Sequence, residues 1–98
     1  RWSDRICHVH CKDIRKHVML DAKNRNLSFL DAVLNGVFTV PGDGCVDYPA
    51  IFAVLKEMNY SGWLVVEAEQ DPAVADPLTY ATLGHRNLQA LATEAGLL

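Results

Sequence analysis

Long apolar runs are missing from this chain. None approaches the ~18 residues that a membrane-spanning helix needs, so no such helix is expected. Basic charge is also scarce. Nine Lys and Arg stand against twelve Asp and Glu, giving a net charge of −3. With a pI near 5.7, that balance argues against a general nucleic-acid binder, which shows a basic patch. No basic amphipathic helix marks a membrane surface. The opening Arg1-Trp2-Ser3-Asp4-Arg5 is charged and leads into a strand-like run, unlike a signal peptide. Cysteine is limited to three residues, an odd number that makes no disulfide framework. Cys7 and Cys11 lie four apart in an extended run, too far for a bond. Reduced, partly buried thiols in a cytoplasmic protein are the expectation. Repeats and low-complexity segments are absent, and each short loop joins two periodic segments, so no domain boundary is expected within the chain.

What is present is globular composition. Half of the 98 residues are apolar and 21% are charged, with a mean hydropathy of +0.04. That length allows one small domain or part of a larger one. Residues 5–12 read as a strand, with Ile6, His8, His10 and Lys12 on one face and Cys7, Val9 and Cys11 on the other. A polar stretch follows from Asp13 to Asn26. Ser28 is an N-cap for a short stripe of Phe29, Leu30, Val33 and Leu34, and Gly36 is its C′ residue. Residues 37–40 are extended, and Pro41-Gly42-Asp43-Gly44 is a turn. Asp47 caps a helix with Pro49 in its first turn, and Ile51, Val54, Leu55 and Met58 form its stripe.

Residues 63–69 form a second strand, apolar on both faces until its acidic end, as in parallel strands covered by helices. Trp63 at its start is expected to pack. Asp76 and Pro77 open a last helix running to about Ala95, with Leu78, Ala81, Leu88, Leu91, Ala92 and Ala95 as its stripe. Strand, excursion, helix, strand and helix make a βαβ unit with one more helix. Two parallel strands leave edges and faces uncovered. The expected class is therefore α/β, with the chain forming part of a larger α/β protein or requiring a partner chain.

Polar residues gather at the C-terminal ends of both strands, the edge at which parallel α/β folds bind ligands. His10 and Lys12 end the first strand, and Glu67 and Glu69 end the second. If the strands are adjacent, imidazole, ammonium and carboxylate converge. Imidazole and carboxylate are a partial ligand set for Mn²⁺, Co²⁺ or Zn²⁺. The plainer readings are a hydrogen-bonded buried His10 and an ion pair between Glu67 and Lys12 or His10. His8 sits one pleat deeper, where it packs or supports His10. Glu69 lies farther out, as a solvated or substrate-facing carboxylate. Asp43 can face the site from its loop, although a lone Gly-x-Gly there is weak evidence for phosphate binding. A zinc site of Cys7, Cys11, His8 and His10 is disfavoured, because cysteines and histidines point to opposite faces.

Three segments carry a resemblance: His8-Val9-His10-Cys11-Lys12-Asp13, Phe38-Thr39-Val40-Pro41-Gly42-Asp43-Gly44-Cys45-Val46-Asp47-Tyr48, and Gly62-Trp63-Leu64-Val65-Val66-Glu67-Ala68-Glu69-Gln70-Asp71-Pro72. Together they resemble the C-terminal third of the inosose dehydratases, which belong to the xylose-isomerase-like TIM barrels. The resemblance implies that residues 1–98 are the C-terminal part of such a barrel, its last two strands with their helices. It implies His10 and Glu67 as two ligands of a divalent metal, Mn or Co, with two more from strands outside this chain. It further implies dehydration of 2-keto-myo-inositol through a metal-stabilised enediolate, the 98 residues alone being inactive. Lys12 would stabilise the oxyanion or protonate the departing hydroxyl, while Glu69 and Asp43 would bind substrate hydroxyls. The expected partner is thus a small polyol ketone, with neither nucleic acid nor membrane. Two competing readings are a metal-dependent sugar isomerase or epimerase on the same barrel, and a non-catalytic fragment or assembly module.

Overall fold

The computed structural model describes residues 1–98. The elements run β1 (Val9–Cys11), β2 (Asp13–Ile14), α1 (Lys16–Asn24), α2 (Phe29–Leu34), β3 (Phe38–Thr39), α3 (Tyr48–Glu57), β4 (Leu64–Val66) and α4 (Pro77–Glu94), after a short 3-10 turn at Ser3–Arg5. β1 and β4 pair in parallel, with His10 opposite Val65 and Cys11 opposite Val66. β2 and β3 make a separate antiparallel pair, Asp13 opposite Thr39. This is part of an α/β barrel.

The caps behave as their residue types dictate. Ser28 accepts from the Asp31 N–H at 3.1 Å, Asp47 from Ala50 at 3.2 Å and Asp76 from Thr79 at 2.9 Å. Each satisfies an amide that the first helical turn leaves open. Bonds from the Thr79 hydroxyl and amide hold the Asp76 carboxyl below its usual range. Gly36 closes α2 at φ +82°, the left-handed conformation that glycine adopts freely. Gly84 serves a different purpose. A Cβ there would stand 2.9 Å from both Val40 and Val66, so its absence lets α4 lie directly against β4.

The core lies between α3, α4 and the parallel pair, built from Cys11, Tyr48, Phe52, Leu55, Leu88 and Ala92. Phe52 is fully buried, worth about 2–3 kcal/mol of transfer free energy. The inward face of α3 is therefore Tyr48, Phe52 and Leu55 with Met58 packed beside them; of the expected stripe Leu55 and Met58 face inward, whereas Ile51 and Val54 are exposed. Val54 is 58% exposed. The helix is apolar over a broad arc, and the face carrying the aromatic rings turned inward.

Other expectations need correction. Asp13–Asn26 is no simple polar stretch, because α1 forms within it although only Ala22 is buried. The first strand is shorter than residues 5–12, since the chain leaves β1 after Cys11 to pair β2 with β3. Cys7, ahead of the strand, is exposed, as is Cys45, and only Cys11 is buried. Trp63 is 76% exposed and does not pack, and Leu78 of the α4 stripe is equally open.

The chain exposes 6685 Å², against about 5,600 Å² for a closed monomer of its mass. Its radius of gyration is 14.6 Å, where ~12.6 Å suits a compact domain of this length. The excess surface is apolar in part, at Phe29, Leu30, Val54 and Trp63. Both observations agree with a barrel segment whose faces lack their cover.

Candidate active site

Parallel pairing brings the ends of β1 and β4 side by side. The ladder extends one bond past β4, from the Glu67 N–H to the Cys11 carbonyl at 2.9 Å. Residues two apart share a face, so His10 and Lys12 both meet the carboxylates of the neighbouring strand end. His10 Nδ1 lies 3.2 Å from Glu67 Oε2. Lys12 Nζ lies 3.2 Å from Glu67 Oε1 and 3.3 Å from Glu69 Oε1. The ammonium also sits 4.5 Å from the centre of the Phe38 ring, a cation–π position. Thus His10, Lys12, Glu67 and Glu69 form one cluster at the rim. The ion-pair reading of Glu67 holds for the chain as it stands. His10 is open to solvent rather than buried.

His8 stands beside His10, not beneath a covering layer. Their rings meet edge to face, centres 5.2 Å apart. Asp43 makes no hydrogen bond or ion pair to this cluster. Its Oδ2 accepts from the Thr39 hydroxyl at 2.6 Å and from Arg15 at 3.4 Å. No group of three or more His, Cys, Asp or Glu side chains converges as a metal cage. An imidazole nitrogen and a carboxylate oxygen, those of His10 and Glu67, are the groups here that could hold an ion, and they are too few to hold one alone.

Two structuring residues escaped the sequence reading. Asp13 is fully buried, and its carboxylate accepts three backbone N–H groups: Ile14 at 2.8 Å, Val46 at 2.9 Å and Gly42 at 3.0 Å. It holds the 41–46 loop against β2. Arg15 donates to the Gly36 carbonyl at 2.9 Å, the Tyr80 hydroxyl at 3.0 Å and the Thr39 hydroxyl at 3.3 Å, joining β3 to α4. The available signal was an aspartate and an arginine flanking a strand end, ahead of a glycine-rich loop whose amides need acceptors.

Beneath the rim, Tyr48 donates its hydroxyl to the Lys12 carbonyl at 2.6 Å, fixing the backbone that carries the ammonium. Burial pushes the Tyr48 phenol up. Burial likewise raises the Cys11 thiol to about 11, an effect only partly offset by the neighbouring Tyr48 hydroxyl. Cys11 is therefore a thiol at neutral pH and chemically inert.

Glu67 is held below the ordinary carboxylate range, chiefly by its bond to Lys12 and then by His10. A depressed carboxylate stabilises the folded state above its unfolded pKa, and that contribution is lost as pH falls through the folded value. Exposure keeps the effect small. In metal-free protein, carbon-detected NMR titration is expected to place the Glu67 midpoint below that of an ordinary glutamate. Lys12→Met should raise it more than His10→Ala, and the reverse order would refute the assignment of Lys12 as the dominant partner.

The chain is 59% identical over 96 residues to the rhizopine catabolism protein MocC of Rhizobium meliloti. It is 54% identical over 91 residues to the inosose dehydratase of Geobacillus kaustophilus, and 49% identical over 92 to that of Histophilus somni. These alignments cover 98%, 93% and 94% of the chain, but only 30%, 30% and 31% of the relatives. The chain thus spans less than a third of the length of the curated relatives it matches. The family model described as xylose isomerase-like TIM barrel matches residues 1–91. Parallel strands, a polar rim at their C-terminal ends and this match agree: the chain belongs to the xylose isomerase-like TIM barrel family.

Proposed function

We propose that these residues form the C-terminal part of a cytoplasmic hydro-lyase that dehydrates 2-keto-myo-inositol in inositol catabolism. One observation carries the reading: His10, Lys12 and Glu67 converge at the C-terminal rim of two parallel strands. They do so in a chain 49–54% identical to proteins named inosose dehydratase. A rhizopine catabolism protein among the relatives agrees with a catabolic role. No helix is long and apolar enough to cross a membrane.

The donor set fits a divalent ion, with Mn²⁺ or Co²⁺ favoured. One imidazole nitrogen and one carboxylate oxygen stand 3.2 Å apart, the spacing of neighbouring ligands on an ion with ~2.1 Å bonds. When bound, the cation would supply Lewis acidity beside the ketone, easing transfer of the α-proton to a base supplied from outside these residues. His10 and Glu67 would hold it, exchanging their mutual contact for ligation. Lys12, charged and tethered, donates to oxygen as negative charge develops, or gives its proton to the departing β-hydroxyl. Glu69 Oε2 and Asp43 Oδ1, whose partner oxygens are already engaged, can accept substrate hydroxyls. His8 packs on the His10 ring and orients it.

The 98 residues alone should give no turnover, since two donors make a weak site. A chimera tests the reading, with this chain replacing its matched segment in the Geobacillus kaustophilus inosose dehydratase. The expected result is metal-dependent loss of water from 2-keto-myo-inositol, seen as a new conjugated chromophore. An isomerised product without loss of water would replace the dehydratase with an isomerase or epimerase. A folded chimera with no turnover would reject both.

A further inference from the structure

Glu69 has an unusual backbone. Its φ is +51°, a left-handed conformation that costs a β-carbon-bearing residue energy. The other non-glycine residues at positive φ are Asn26 and Asn59, both asparagines, the type that tolerates it best. A glutamate does not, so its presence asks for a return. The turn itself could be made by Gly or Asn. What those residues could not supply is the carboxylate, whose Oε1 lies 3.3 Å from Lys12 Nζ.

The surroundings of Lys12 show what that carboxylate adds. Glu67 Oε1 is on one side at 3.2 Å, and the Phe38 ring lies beneath at 4.5 Å. Glu67 is also the residue proposed to ligate the cation, so its charge would be shared once an ion is bound. Glu69 is then the anion left to hold the ammonium. Its neighbour Gln70 donates to the Phe38 carbonyl at 3.3 Å, tying the turn to the strand that carries the ring.

We infer that Glu69 is a positioning residue: its left-handed backbone aims one carboxylate oxygen at Lys12 and fixes the ammonium over Phe38, at the rim where the proposed reaction occurs. This rests on the function proposed for Lys12, but the holding of Lys12 is measurable without it. An immobilised, ion-paired ammonium gives an observable ¹⁵Nζ–proton correlation, assigned by its disappearance in Lys12→Met. With Glu67→Gln removing the competing carboxylate charge, the signal should be present, and it should broaden beyond detection when Glu69→Gly or Glu69→Ala is added.

The two variants separate carboxylate from strain. Both remove the oxygen, but only glycine accepts φ +51° freely, so Glu69→Gly should melt about 4–8 °C above Glu69→Ala. A Lys12 signal unchanged on adding Glu69→Gly to folded Glu67→Gln would overturn the inference, as would equal melting of the Glu69→Gly and Glu69→Ala proteins. Loss of the signal with unchanged turnover in the chimera would uphold the positioning and overturn the role given to Lys12.

Discussion

Replacing Asp13 with alanine is expected to destabilise the protein by about 3 kcal/mol or more, at ~1 kcal/mol for each of three hydrogen bonds lost. The carboxylate is fully buried, and its acceptors face the amides of Ile14, Gly42 and Val46. Asp43, the other carboxylate on the loop, is engaged by Thr39 and Arg15. Gly44 presses against the same carboxylate, with no room there even for a Cβ. Asparagine keeps one acceptor oxygen and turns an amide donor toward a remaining N–H, so Asp13→Asn should fall between wild type and alanine. Urea denaturation measures the series. A loss below about 0.5 kcal/mol for Asp13→Ala, the size of an ordinary surface change, would show that the loop does not depend on this residue.

The same residue shows where sequence reasoning ends. The facing of His10 and Lys12 toward Glu67 was legible, because it needs only two facts: side chains alternate along a strand, and parallel strands end on the same edge. Helix caps at Ser28, Asp47 and Asp76 were legible because capping is local. Asp13 and Arg15 were not. Apart from the adjacent Ile14 N–H, their partners lie 21 to 65 positions away and are mainly backbone groups and hydroxyls, which carry no pattern in sequence. α1 was missed because Lys16, His17, Asp21, Lys23 and Asn24 make it polar on average, hiding the apolar Val18, Met19 and Ala22 among them. The face of α3 was misread because Ile51 and Val54 are as apolar as the residues that turned inward. Trp63 was expected to pack, but this chain leaves it 76% exposed.

The second large effect concerns the rim. In the chimera, His10→Ala and Glu67→Gln are each expected to lower turnover by more than about 100-fold, since losing a ligand exceeds the 10–100-fold cost of losing a ligand's supporting partner. Excess Mn²⁺ should recover part of the activity, because the other ligands would remain. The fold should survive both changes. His10 and Glu67 are accessible to solvent and contribute no core packing, so melting temperatures should match the parent. Lys12→Met should behave differently. It would reduce turnover without weakening metal affinity, and added metal would not rescue it. Variants at His10 and Glu67 that turn over normally would show that their 3.2 Å contact is an ion pair and nothing more.

The most direct measurement is an anomalous difference map from crystals of the Mn²⁺-loaded chimera. A peak within about 2.2 Å of both a His10 ring nitrogen and a Glu67 carboxylate oxygen is the expected result. Manganese bound elsewhere, with the imidazole and carboxylate still bonded to each other, would contradict it.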